Sequence, residues 1–231
     1  MLTSTVAILH DNSAHGEDNY LVRPLSPHAC LDAVMDGVTG RGGRQASQEV
    51  VQALAAASLT SPEAVVAVLE AVNSHLYQVS LGRFLLTTAA VTLYLDGVLH
   101  VVSVGDSLVL LIRPHTVHLL SRHARSFVHA ESARALGMRQ TLRQISRAAV
   151  DIAPDDRLIL LTDGITDNVA HDELVDIMRC AMSPDQAVAQ LQTLLAARRA
   201  RGVLPEPLGG RFHHDDQTAI VRFFSAAAEA R

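Results

Sequence analysis

The sequence predicts two packed, mainly antiparallel β-sheets with helices on their outer faces. Three observations carry that expectation. Many strand-like segments, such as "SLVLLIR" (107–113) and "DRLILLT" (156–162), are apolar on both parities, so their sheets are covered on both sides. Strands crowd the middle of the chain, with two helices before that block and two more before the last strand. The strict strand–helix alternation of a doubly wound parallel sheet is missing. With 231 residues at 48% hydrophobic composition, the chain can bury a sizeable core as one domain, or as two small ones.

The elements follow in order. "STVAILH" (4–10) and "CLDAVMD" (30–36) read as strands, the second ending on Asp36, and "YLVRP" between them is strand-like. "RQASQEVVQALAAAS" (44–58) has apolar residues at helical spacing. So has "SPEAVVAVLEAVNSHLYQVS" (61–80), with Ser61 as N-cap, Pro62 in the first helical position and Glu63 in the first turn. "TTAAVTLYL" (87–95), a tight Asp96-Gly97 turn, "VLHVVSVG" (98–105) and "SLVLLIR" (107–113) predict an antiparallel meander. "SRAAVDI" (146–152) and "DRLILLT" add two strands, "HDELVDIMRCAM" (171–182) and "SPDQAVAQLQTLLAARRAR" (183–201) two helices, and "QTAIVRFF" (217–224) the last strand. "LPEPLGGRFHHDD" (204–216) reads as a long loop.

The net charge of −5 and the absence of a basic stripe or tail argue against a sequence-independent nucleic-acid binder. Cys30 and Cys180 are far apart and outside any C-x-x-C pair, which speaks against a disulfide framework or a structural zinc site and fits a reducing cytosol. No stretch reaches the length of a membrane span, and the N-terminal segment lacks a signal-peptide pattern, so a cytoplasmic protein with no membrane partner is expected.

The acids carry the chemistry. Asp36 and Asp163 each end a strand and precede a glycine, Gly37 and Gly164. Asp106 sits in "VGDS" between two apolar strands, Asp215 and Asp216 stand before the last strand, and Glu17 and Asp18 share "HGEDNY". One acid beside a glycine is usually a turn residue. Five such places suggest convergence, and converging carboxylates repel unless a cation joins them; hard oxygen ligands suit Mg²⁺ or Mn²⁺ rather than zinc.

"GEDN", "VMDGVTG", "TTAAVTLYLDGVLHVVSVGDS", "DRLILLTDGITD" and "DDQT" resemble, in order, the motifs of the metal-dependent protein phosphatases (PPM family, type 2C Ser/Thr phosphatases) across residues 16–221. The resemblance implies a single domain over 1–231, an α+β four-layer α-β-β-α sandwich of two mainly antiparallel sheets flanked by helix pairs. It also implies two Mn²⁺ or Mg²⁺ ions at one end. Asp36 would bridge both ions and Gly37 would give its carbonyl to one; Asp163 and Asp215 would hold the other. Glu17 and Asp18 match the pair that serves the first metal partly through water. Asp106 and Asp167 match the acids of a third, weaker metal site in some members; Asp167 alternatively caps the helix or turn that follows. Catalysis, with Asp36 and Asp163 central, would be direct attack by a hydroxide bridging the two ions, without a phospho-enzyme. The partner would be a phosphoserine or phosphothreonine protein, opposing a Ser/Thr kinase.

The chain departs from the family pattern in places. Members often carry a phosphate-gripping Arg four residues before the Glu of the Glu-Asp pair; here it is Ser13, and a fork of five donors is lost. Arg41 and Arg44 are the nearest substitutes in sequence, against the reading that they are solvated loop residues. Val38 stands where some members have a general-acid His, and Thr39 replaces a common glycine, which the loop tolerates if its φ is negative. His213 and His214 are either extra ligands or surface residues. Six arginines between 121 and 147 (122, 125, 134, 139, 143 and 147) form either a basic rim or a solvated surface. The missing Arg motivates an alternative, a catalytically weak PPM-fold module that regulates a partner by binding. A narrower one is a phosphatase acting on an anti-anti-sigma-like partner.

Overall fold

The computed structural model describes residues 2–121, 135–142 and 144–227. Ten strands form two sheets. The first is ordered β1(Leu2–Asp11), β10(Gln217–Ala226), β9(Arg157–Leu161), β6(Leu108–Ile112), β7(Val117–Leu119). The second is ordered β2(Asn19–Ser26), β3(Ala29–Met35), β4(Ala89–Leu95), β5(Val98–Val104), β8(Ser146–Asp151). All pairings are antiparallel.

The strand period sorts side chains between layers. Leu108, Leu110, Ile112, Ile159 and Leu161 face α4(His171–Cys180) and α5(Pro184–Arg201), whereas Val109, Leu111, Leu158 and Leu160 face the other sheet. On the far side, Leu31, Ala33, Val91 and Leu93 pack against α1(Gly43–Ala56) and α2(Pro62–Ser80). Helices, sheet, sheet and helices thus make the expected α+β four-layer sandwich. Because β3, β4, β6 and β9 are covered on both faces, they are apolar at nearly every position.

The two Ser-Pro starts work as N-caps. The Ser61 hydroxyl accepts from the Ala64 amide at 3.2 Å, and the Ser183 hydroxyl from the Gln186 amide at 3.2 Å, each stabilising its helix by about 1 kcal/mol. Asp96 and Gly97, at φ 48° and 94°, close the two-residue hairpin between β4 and β5.

The predicted meander is corrected. β4 and β5 form a hairpin, but β6 leaves their sheet and pairs with β9 and β7 in the other. Gly105, at φ 106°, allows the turn, and Asp106 rides on the crossing between the layers. Three short elements escape the sequence pattern: β7, the four-residue helix α3(Asp163–Thr166) and a 3₁₀ turn at Glu206–Leu208 within the expected loop.

One charged pair lies between the sheets. Arg222 on β10 donates to both Asp32 carboxylate oxygens, at 2.6 and 2.7 Å, and to the Ser4 hydroxyl at 2.8 Å. Asp32 is 1% exposed and Arg222 5%, so the bidentate geometry offsets an otherwise severe desolvation cost. No helix among the described residues is long and apolar enough to cross a membrane.

Candidate functional site

The sheet registers bring the acids to one end of the sandwich. In one sheet Asp11 pairs with Gln217, and Leu161 lies opposite both Ala219 and Leu108. In the other, Asn19 pairs with Met35 and Ala89 with Val104. The Glu17-Asp18 segment, Asp36, Asp106, Asp163 and Asp215 therefore all leave the same edge, from five separate segments.

Asp36 follows the last residue of β3. Its amide donates to the Thr88 hydroxyl at 3.1 Å, and its carbonyl accepts the Thr87 hydroxyl and the Thr88 amide, both at 2.8 Å. Burial pushes its carboxyl well above the ordinary carboxylate range. The charges of Asp163 and Asp18, a hydrogen bond to the Asp163 carboxyl and the charge of Asp106 push the same way. Three of the other expected acids are thus within electrostatic reach of Asp36.

Asp18 is 2% exposed, and one of its carboxylate oxygens accepts the Thr162 hydroxyl at 2.8 Å and the Thr218 hydroxyl at 2.7 Å. Burial is the main reason its carboxyl rises to about 7; the two threonine hydroxyls oppose that rise, and Asp216 and Asp163 add to it. Glu17 is half-buried, and its Oε2 is buried with no hydrogen-bond partner among the described residues.

Two glycines are required by close packing. A Cβ on Gly37 would fall 2.5 Å from both the Glu17 carbonyl oxygen and the Gly43 carbonyl carbon. A Cβ on Gly164 would fall 2.0 Å from the Asp216 carbonyl oxygen and 3.2 Å from the Asp215 Cβ. Gly164→Ala is expected to lower stability by about 1–3 kcal/mol, because backbone must move; a thermal melt unchanged from the parent would contradict that.

Asp216, the second acid of "DDQT", has a structural task here. Its carboxylate accepts the amides of Ala14, His15 and Glu17 at 3.1, 2.9 and 2.7 Å. Burial pushes this carboxyl up, but the amides of Glu17, His15, Gly16 and Ala14 together bring it below the usual range. Asp215 is half-buried beside it and accepts the Asp216 amide at 2.8 Å.

Other expected residues divide. Asp167 ends α3, its amide bonded to the Asp163 carbonyl at 2.8 Å. At the start of the next helix the Glu173 carboxylate takes the Ala170 amide at 2.9 Å. Arg41 is anchored away from the loop of Ser13, its guanidinium on the Arg83 carbonyl at 2.8 Å. Arg44 lies directly over that loop: Nε donates to the Gly16 carbonyl at 2.7 Å and Nη2 to the His15 carbonyl at 3.5 Å. Thr39 is outside the left-handed region, while Gly40 and Gly42, at φ 71° and 66°, take the turns around it. His213 and His214 are exposed; the His213 backbone is held by Asn168 and the His214 ring packs edge-on against Phe212. Arg139 and Arg147 are exposed, and Arg122, Arg125, Arg134 and Arg143 lie outside the described residues.

The supporting hydroxyls carry little local signal in the sequence. Thr87 and Thr88 read as strand residues, and Thr162 and Thr218 as ends of strands. Their polarity at the edge of apolar runs was the available signal. His10, whose Nδ1 lies 3.0 Å from the Thr218 hydroxyl, was also missed.

The residues fit divalent cations on three observations: hard oxygen donors, an orphaned buried Glu17 oxygen, and two acids, Asp36 and Asp163, bonded to each other. Among the described residues, no group of three or more His, Cys, Asp or Glu side chains already forms a cage. Carboxyls brought this close raise one another's proton affinity, which is the direction seen at Asp36.

Two facing five-stranded sheets between helix pairs define the fold of the metal-dependent protein phosphatases. The family model described as Stage II sporulation protein E (SpoIIE) matches residues 30–223, and the chain belongs to that family, a type 2C-like, bacterial-type group of the PPM phosphatases. Solved structures agree on the fold. PppA, a key regulatory component of T6SS in Pseudomonas aeruginosa, matches with TM-score 0.77 and 23% identity, over 96% of this chain and 97% of that one. The Ser/Thr phosphatase Stp1 from Staphylococcus aureus matches with TM-score 0.76 and 17% identity, over 98% and 96%. The catalytic domain of the Ser/Thr phosphatase PstP, in complex with two manganese ions, matches with TM-score 0.75 and 22% identity, over 98% and 100%. A search of the curated proteins finds no match.

Proposed function

We propose that residues 1–231 form one domain that acts as a Mn²⁺- or Mg²⁺-dependent protein Ser/Thr phosphatase, in the cytoplasm and against a Ser/Thr kinase. The observation that carries this reading is the convergence of Asp36, Asp163, Asp18 and Asp106, delivered by separate segments to one end of the sandwich. Asp36, the Gly37 carbonyl, Asp163, Asp215, Glu17 and Asp18 would hold two ions, and Asp106 with Asp167 a third. When bound, the ions supply Lewis-acid charge that polarises the phosphoryl group and activates water.

This chain's residues supply the frame. Thr162 and Thr218 fix Asp18 from two strands, and Thr87 and Thr88 fix the backbone of Asp36. Asp216 holds the 14–17 loop, and Gly37 and Gly164 let backbone approach closely. Val38 has no proton to give, so that position does not supply the general acid.

Arg44 is the better candidate for the phosphate grip, because its guanidinium rests on the loop that carries Ser13 whereas Arg41 is tied to Arg83. Arg44→Ala is expected to raise KM for phosphate monoesters on the order of tenfold, and adding Ser13→Arg to it should recover part of the loss. Unchanged KM in Arg44→Ala would refute this role.

The phosphatase reading is tested by hydrolysis of a phosphothreonine peptide with and without Mn²⁺. Metal-independent turnover would defeat it. The binding-module alternative takes its support from Ser13; calorimetry showing no Mn²⁺ binding at millimolar metal would favour it.

A further inference from the structure

Beside the acids lies a surface of a different character. It is built from the 37–47 segment, the end of α2 with the loop to β4 (79–88), and the 135–142 segment. Backbone contacts join the three. The Val38 amide donates to the Leu86 carbonyl at 3.0 Å, and the Leu86 amide to the Arg41 carbonyl at 3.2 Å. Thr87 and Leu136 exchange backbone hydrogen bonds at 2.8 and 3.4 Å. Gly82 and Gly137 pack so tightly that a Cβ would fall 2.6 Å from the Met138 carbonyl oxygen and 2.2 Å from the Leu85 carbonyl oxygen. Gly37 also pairs with Thr87, whose hydroxyl holds Asp36, so the surface is continuous with the acid cluster.

Its charge runs against that of the chain as a whole. The three segments carry Arg41, Arg44, Arg83 and Arg139 and no acid, in a protein of net charge −5. All four arginines are exposed. Among them, Val79, Leu81 and Phe84 are 53%, 66% and 45% exposed. Single exposed apolar residues need no explanation, but three within six positions, on segments whose only charges are basic, mark an interaction surface. Leu81 and Leu85 hold left-handed backbone, at φ 53° and 60°. Leu81 takes it as the C-cap of α2, its amide on the Tyr77 carbonyl, and the buried Leu85 takes it inside the loop that follows.

We infer that this surface docks the phosphoprotein substrate, and that the docked segment is acidic with an apolar side chain that seats on Leu81 and Phe84. The inference rests on the phosphatase reading for the word substrate, but the docking chemistry rests on the surface alone. The basic segments attract acidic flanks and lengthen the residence of a chain whose phosphate reaches the acid cluster.

The test uses the full chain and two phosphothreonine peptides of equal length, one with acidic flanks and a leucine, the other with basic flanks. The parent should prefer the acidic peptide in kcat/KM, with a KM that rises with salt. Arg83→Glu with Arg139→Glu should raise KM for the acidic peptide on the order of tenfold and leave p-nitrophenyl phosphate hydrolysis unchanged. Phe84→Ala should raise KM for the acidic peptide only. Equal use of both peptides by the parent, or equal loss on peptide and p-nitrophenyl phosphate in the variants, would overturn the proposal. If p-nitrophenyl phosphate is not hydrolysed with Mn²⁺, the enzymatic reading fails separately. Fluorescence anisotropy of the two peptides then decides the docking: preference for the acidic one supports it, and equal affinity overturns it.

Discussion

Asp36→Asn is expected to lower phosphate-monoester turnover on the order of 10²–10³-fold while raising the thermal midpoint of the metal-free protein. The two effects have one cause. Asp36 is a buried carboxyl next to Asp163, Asp18 and Asp106, an arrangement that favours cations and disfavours the bare fold. An amide of the same shape can still bond the Asp163 carboxyl but carries no charge. It therefore relieves repulsion where no cation does, and fails where a cation needs an anionic ligand. Each kcal/mol gained moves the midpoint by roughly 2–4 °C in a chain of this size. The checks are calorimetric melts in chelator and kcat with saturating Mn²⁺. A variant that keeps full turnover, or melts well below the parent in chelator, would show that Asp36 is an ordinary structural acid.

The largest stability effect is expected away from the site. Asp32→Ala leaves the Arg222 guanidinium buried between the sheets with only the Ser4 hydroxyl of its three contacts, at a cost of about 3–5 kcal/mol. Replacing both partners, Asp32→Leu with Arg222→Met, should return most of that loss, since the apolar layer around them already includes Val34, Ile220 and Phe224. Urea melts of the three proteins check this. Asp32 lies four residues from Asp36, about 13 Å along an extended strand, so the folded fraction of the double variant should keep its kcat. A single variant as stable as the parent would mean that water reaches Arg222.

The two predictions separate what each kind of information supplies. Asp36 was legible from "VMDGVTG", because a carboxylate ending an apolar strand beside a glycine is a local pattern. Asp163 in "LTDGITD" was legible for the same reason. Asp32 was not, since one acid inside a strand looks the same whether it faces water or an arginine 190 positions away. Arg44 was visible only as one of two nearby arginines; hydrogen bonds across the fold distinguish it from Arg41. Asp216 is visible in the sequence only as the neighbour of Asp215, and its grip on the amides of residues 14–17 depends on two distant segments meeting.

By itself, the sequence determined the elements and the family resemblance: two-sided apolar strands, Ser-Pro helix starts, the Asp96-Gly97 hairpin, and acids placed where strands end. These are local, since the periodicity of three or four residues and the chemistry of one turn are written in neighbouring positions. Tertiary structure alone decided that β6 crosses to the other sheet, that Thr162 and Thr218 hold Asp18 from two strands, and that an arginine-rich surface adjoins the acid cluster. Those outcomes depend on which sheet edge a strand finds and which side chains a shared register aligns, energies set by contacts far apart in the chain.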